Sequence, residues 1–429
     1  MTAPTDTSEA ANTSQVEPKV LPMSDNPYED FRYFYRDGMD LRPAPKRRTA
    51  APGWSELRHN IFDSWHTVED EWSGYDSLQT KLLDDHMWQT DETGEKLAQA
   101  FRRDGAKESR AKFEQALNHG IETVEDPASE LVDFFKEVDR IPEWLDLEAA
   151  ERGRVAYYNV TRTSEVLAIA FAYWATTMED RTSAATGETG MFEFKAMQRS
   201  IETAQFFTDL GKKDVFDRFG EGRKAAVRVR LLHSQANRGL EKMWGKEHYN
   251  EFGRPIGSSF LVSGEGWFGM MPLAIDERLI PKTGDEMRKM TDYIYANGGY
   301  SSTYHERVAT ALMSILETIH PLVPKMALGA LTTICGVEDT KFMVKGTRWE
   351  KVNYKPWAIL YRGAARAEAK VARLRDKLPG AQKAKIKRAN KNKPPWSDVT
   401  AVIKAHIAKN EPETKSDYTL HDDSKEARS

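Results

Sequence analysis

A single cysteine, Cys335, stands in 429 residues, so no disulfide can close within the chain and no thiolate cage can hold a metal. Set in an apolar run, this thiol reads as buried and inert. Long hydrophobic runs are missing too. The longest, Val166–Trp174 (VLAIAFAYW), is about half of a membrane span and reads as a buried helix. Charge of one sign does not dominate: 62 Lys and Arg against 66 Asp and Glu leave a net −4, so any charged partner site must be local. Residues 1–22 lack the basic and apolar regions of an export signal, which implies a cytoplasmic protein. The ten histidines form no HExxH pair, there is no phosphate-binding GxxxxGK[ST], and Gly187-Glu-Thr-Gly190 lacks the preceding strand and third glycine of a dinucleotide fingerprint.

What is present is helical patterning. Residues 1–52 read as a disordered arm with too few apolar positions to offset the entropy of ordering. Its aromatic run, Tyr28, Phe31, Tyr33, Phe34 and Tyr35, implies docking on the chain's own body or on a second subunit, the latter giving a homo-oligomer through this arm. From Trp54 onward three- and four-residue periodicity prevails. It predicts helices from Asp126, over 147–159, 164–178, 191–210 and 222–244, and further ones over 260–273, 284–296, 304–320 and 322–335. The fold class is therefore all-α: one large helical domain over 53–340 and a basic helical extension with a polar tail over 341–429. Pro379-Gly380 should divide the extension into two helices. Its basic, alanine-rich stretch could follow a nucleic-acid backbone, but no stacking aromatic stands between Ala367 and Pro395, so a solvated face is the preferred reading.

Candidate chemistry gathers on two helices. In the stretch 226–243, Val229, Leu232, His233, Ala236, Leu240 and Met243 follow helical steps, which puts His233 on an inward face. Burial favours the neutral ring, able to offer a nitrogen to a metal; judged alone, it reads as a core histidine bonded to a carbonyl. Arg230 lies one turn earlier and Arg228 on the opposite edge, and both need anions. Either Asp214 and Glu221 pair with them, or an anionic ligand does. On the other helix Arg199, Glu202 and Thr203 stand at i, i+3 and i+4, beside an apolar stripe of Met197, Ile201 and Ala204. His86, His248, His305 and His320 could serve as ligands only if the fold gathered them.

Taken in order, Pro142-Glu-Trp-Leu-Asp146, Thr189-Gly190, Arg199-x-x-Glu-Thr203, Val227-Arg-Val-Arg-Leu-Leu-His233 and Tyr249 to Gly253-x-Pro-Ile256 resemble the latex clearing protein and MpaB-type oxygenases, a family of helical haem b proteins. The likeness covers 126–260 well and 261–335 weakly. It implies globin-like helical packing around a haem, with His233 as the iron's axial ligand and Arg199, Thr203 and Arg230 lining the cofactor pocket, the arginines pairing with propionates. Three departures stand out. Glu202 occupies a position where latex clearing proteins can carry a lysine able to cap the iron. No acid lies in register near Arg181–Ser183, where the family's base is expected, leaving Glu179, Asp180 and Glu188 as neighbours. Gly257-Ser258 replaces an Asn-Gln pair.

The resemblance implies a haem-dependent oxygenase that uses O2 to oxidise or cleave a C=C bond of a small, apolar, isoprenoid- or polyketide-like substrate. Glu202 or a loop carboxylate would accept the proton, with Arg199 and Thr203 as further catalytic candidates. The alternatives are a non-catalytic haem protein, such as a gas sensor or haem carrier, and a helical interaction protein whose basic arm binds nucleic acid.

Overall fold

In the computed structural model, residues 39, 41, 86, 88–141, 147–178, 195–247, 254, 256–257, 305–391, 393 and 397–410 are described. By contacts the chain divides into Met1–Met39 and Asp40–Ser429, and every described helix belongs to the second unit. The fold is all-α: twelve α-helices and two 3-10 turns make up the regular structure among the described residues. The arm over 1–52, the motif 142–146, the loop 179–190 and the helices expected over 260–273 and 284–296 lie outside the described residues, apart from Met39 and Leu41.

Helices α1 (Glu92–Asp104), α2 (Ala106–His119) and α3 (Ser129–Val138) pack with the middle of α7 (Glu221–Trp244). Their shared core is aromatic. Phe101, Phe113, Phe134 and Phe135 meet at ring-centroid distances of 5.6–6.2 Å, and Leu97, Leu131, Val227 and Leu231 close around them. Sequence placed the start of α3 at Asp126, but the helix begins at Ser129. Asp126 instead takes a left-handed φ of 45°, and its carbonyl accepts from Lys112 Nζ at 3.0 Å. Asp is among the few non-glycine residues that tolerate this conformation.

A second apolar cluster joins Ile201 of α6 (Ala196–Leu210), Leu312 and Ile315 of α8 (His305–Ile319) and Ile403 of α12 (Ser397–Asn410), with Trp244 from the far end of α7. Helix α12 was not foreseen, although Val399, Ile403 and Ile407 repeat at i, i+4 and i+8 and carry the docking. Helix α8 also lies against α5 (Arg162–Met178) and α9 (Val323–Met343). Cys335 belongs to α9; its side chain is not among those described.

The segment set apart on sequence grounds from residue 341 is packed onto this body. Helix α10 (Lys355–Asp376) runs along α9 and α5. Gly329 of α9 lets it approach, since a Cβ there would stand 2.7 Å from the Trp357 carbonyl carbon. The Tyr361 hydroxyl donates to the Thr163 carbonyl at 2.9 Å, and the Glu368 carboxylate accepts from the Thr163 amide and hydroxyl at 2.9 and 2.7 Å, satisfying donors at the start of α5. The chain then breaks as expected: α11 (Ala381–Ala389) follows Gly380, whose φ of 77° is left-handed. Helix α11 rests on α4 (Leu147–Tyr157), fastened where Arg154 donates to the Ala389 carbonyl and Arg388 to the Asn159 side chain.

Candidate functional site

Helix α7 connects the two apolar clusters, and His233 stands near its middle. The buried line of α7 is Gly222, Val227, Leu231, Ser234, Asn237 and Leu240, turned from the stripe expected on sequence grounds. Leu232 and Met243 are exposed, at 42% and 60%. Small polar residues fill the buried line because α1 comes very close there: a Cβ on Gly94 would fall 2.3 Å from Ser234 Oγ. His233 lies beside this line and is half-buried.

Protein atoms nevertheless crowd the imidazole. Burial, reinforced by the Arg199 guanidinium and opposed by the Asp91 carboxylate, pushes its pKa down to about 4. The ring is therefore neutral at pH 7, and it makes no hydrogen bond among the described residues. The bond to a backbone carbonyl expected of an ordinary core histidine is not found there. Its partner across the α6–α7 contact is Arg199, also half-buried, whose pKa burial lowers while Glu202 supports its charge. Glu202 accepts from Gln198 Nε2 at 2.9 Å. Thr203 is exposed, so only Arg199 and Glu202 of the sequence trio share the interior edge of α6. Ile201 is buried and Met197 packs with it against α8 and α12, as the apolar stripe suggested.

Arg230 is committed elsewhere. Its Nε and Nη2 donate to the two oxygens of Asp91 at 2.5 and 2.7 Å, and Nη2 also reaches Glu137 at 3.0 Å. The guanidinium lies over the Phe134 ring, 4.8 Å from its centroid. Burial opposes its charge, but the hydrogen bonds and attraction of Asp91 and then Glu137 overcome this, so its pKa rises. Arg228 pairs with Glu114 at 2.7 Å. The anions that the two arginines required thus come from α1, α2 and α3, not from Asp214 or Glu221, because α7 turns these side chains toward the aromatic core.

Asp91 was overlooked in the sequence, although Asp91-Glu-Thr-Gly carries a helix-start signal. Its carboxylate caps α1 by accepting from the Gly94 amide at 3.0 Å while holding Arg230. Asn237 was also missed. Its side chain donates to the Ile256 carbonyl at 2.9 Å and accepts from the Ile256 amide at 3.1 Å. Arg254 faces Glu95 at 3.3 Å, and burial raises the Glu95 pKa against this attraction. Residues 254 and 256 are thereby fixed to α1 and α7.

His320 accepts from the Leu322 amide, and His86 belongs to the turn before α1. Neither these nor any other described residues form a group of three or more His, Cys, Asp or Glu able to hold a metal ion. His248 and the loop acids Glu179, Asp180 and Glu188 lie outside the described residues, and of His305 only the backbone is described. No helix among the described residues is long and apolar enough to cross a membrane. No family model, curated protein or solved structure matches the chain.

Proposed function

We propose that the chain is a haem b-dependent oxygenase acting on an apolar unsaturated substrate, with His233 as the residue that would hold the iron. The observation that carries this reading is the state of His233: a neutral imidazole, crowded by protein, without a hydrogen bond among the described residues and facing a half-buried cation. A neutral ring nitrogen is the form that binds iron, and a cation beside it suits the carboxylates of a porphyrin. The ordered motifs that resemble those of latex clearing proteins and MpaB-type oxygenases support the same choice.

When bound, haem would supply the iron that binds and activates O2. The chain's residues then divide the remaining work. His233 would offer its nitrogen from a helix held by apolar packing at Val227 and Leu231 on one side of it and at Trp244 on the other. Arg199 would pair with a propionate, and Glu202, one turn along α6, would accept a proton from the substrate. Arg230 fits less well as a propionate partner, because Asp91 and Glu137 already occupy it. We assign it to holding α7 in register.

The purified full-length protein, supplied with haem, tests the reading. An intense Soret band that is lost in His233→Ala, together with O2 consumption in the presence of isoprenoid alkenes, is the expected result. Absence of the band, or full haem content in His233→Ala, overturns the axial role. A Soret band without O2 consumption leaves a sensor or carrier instead.

A further inference from the structure

Helix α10 carries an outward face that the fold does not use. Its inward side is accounted for by Ala358, Tyr361 and Ala369, which are buried, and by Glu368 at the start of α5. Away from these contacts, Leu360, Ala364, Ala367, Val371, Leu374 and Leu378 follow steps of four and three residues, the last in the turn beyond the helix. The four large members are 54–63% exposed. Side chains this open form a ridge; they do not line a groove.

Beside the ridge runs a second row. Arg362, Arg366, Lys370, Arg373 and Lys377 also step by four and three, about a quarter-turn round the helix, and all are exposed. Arg366, Lys370, Arg373 and Lys377 make no ion pair among the described residues. From Ile359 to Lys391 there are eleven Lys and Arg against two acids, in a chain whose net charge is −4. The positive charge is therefore concentrated along α10 and α11, and on α10 it forms this exposed row.

We propose that α10 docks the protein on an anionic lipid bilayer, the aliphatic ridge entering the headgroup boundary and the cationic row meeting lipid phosphates. Parallel apolar and cationic rows are what an interfacial helix requires, with long cationic side chains reaching to the headgroups. A second copy of the chain fits poorly, since pairing two ridges brings Lys370, Arg375 and Lys377 against their equivalents. Nucleic acid fits poorly as well: it would use the cations but leave the aliphatic ridge in water. A partner helix would need a groove, and this face is convex. The proposal stands independently of the haem reading.

The test is sedimentation of the full-length protein with phosphatidylcholine vesicles, with and without phosphatidylglycerol. Binding only to the anionic vesicles, weakened by salt, is expected. Each cation replaced by Gln among Arg366, Lys370 and Arg373 should lower partitioning about fivefold. Val371→Asp/Leu374→Asp should abolish binding with the helical circular dichroism unchanged. Leu378→Asp, lying beyond the helix, repeats the test should the double variant misfold. Failure to bind anionic vesicles overturns the proposal. Binding that survives the ridge variants and is competed by duplex DNA overturns it in favour of a polyanion site. A dimer in light scattering that the ridge variants dissociate overturns it in favour of self-association.

Discussion

Asp91 and Arg230 meet side-on, Nε to Oδ2 at 2.5 Å and Nη2 to Oδ1 at 2.7 Å, so one carboxylate both caps α1 and fixes the turn of α7 that precedes His233. The geometry is bidentate, and both side chains are mostly withdrawn from solvent.

Asp91→Ala should destabilise the protein by about 3 kcal/mol, because it removes a helix cap and leaves a partly buried guanidinium with Glu137 alone. Arg230→Met should cost less, since Asp91 keeps the Gly94 amide and Glu137 the Thr93 hydroxyl as hydrogen-bond donors. A double-mutant cycle by urea denaturation should give a coupling energy of about 1–3 kcal/mol. Additive effects would show that the contact contributes nothing.

The Gly94 position opposes helix propensity to packing. Alanine is intrinsically favoured there by about 1 kcal/mol, yet its Cβ would meet Ser234 Oγ at 2.3 Å and Asp91 Oδ2 at 2.4 Å. Gly94→Ala should therefore destabilise, by about 1–3 kcal/mol, as overpacking does. A rise in melting temperature would mean that α1 can shift without loss.

The unliganded protein should weaken in mild acid through His233. Its folded pKa of about 4 lies below the ordinary value of about 6.5, so the unfolded chain takes up the proton first. The stability held by the neutral ring is complete above about pH 6.5 and drains as pH falls toward about 4, by about 2–3 kcal/mol. His233→Gln should lack this part of the slope. Equal loss in variant and parent, measured by denaturant unfolding at about pH 7 and about pH 4.5, would contradict the assignment.

Ile403→Ala should cost about 2–4 kcal/mol, as a large-to-small change in a core does. The residue is buried against Ile201, Leu312 and Ile315, so α12 is a structural member of the second cluster. Limited proteolysis should release α12 from the variant before the parent.

Much of the helical layout was legible because apolar spacing survives locally: α5, α6, α7 and α8 begin and end within a few residues of expectation. The break at Gly380 was legible for the same local reason. Rotation about the axis of α7 was not. Hydropathy favoured Leu232 and Met243 for the interior, but the close approach of α1 selected Ser234 and Asn237, and residue size, not polarity, decided the buried line. The partners of Arg228 and Arg230 were equally hidden, since Glu114, Asp91 and Glu137 are 93–139 residues away in the chain. The placement of His233 at the interior edge was legible because a histidine one position off a buried line remains beside it whichever neighbouring face is chosen.

Helix α7 is about 36 Å long, with Leu231 seated in one apolar cluster and Trp244 in the other. A rigid rod gripped in its middle and at its far end cannot absorb an added residue between the two grips. One insertion between Leu231 and Trp244 would rotate one grip by about 100° relative to the other. Either cluster would have to release its side chains, and His233 would turn with whichever end let go. Sequence length within this span is therefore held as tightly as residue identity.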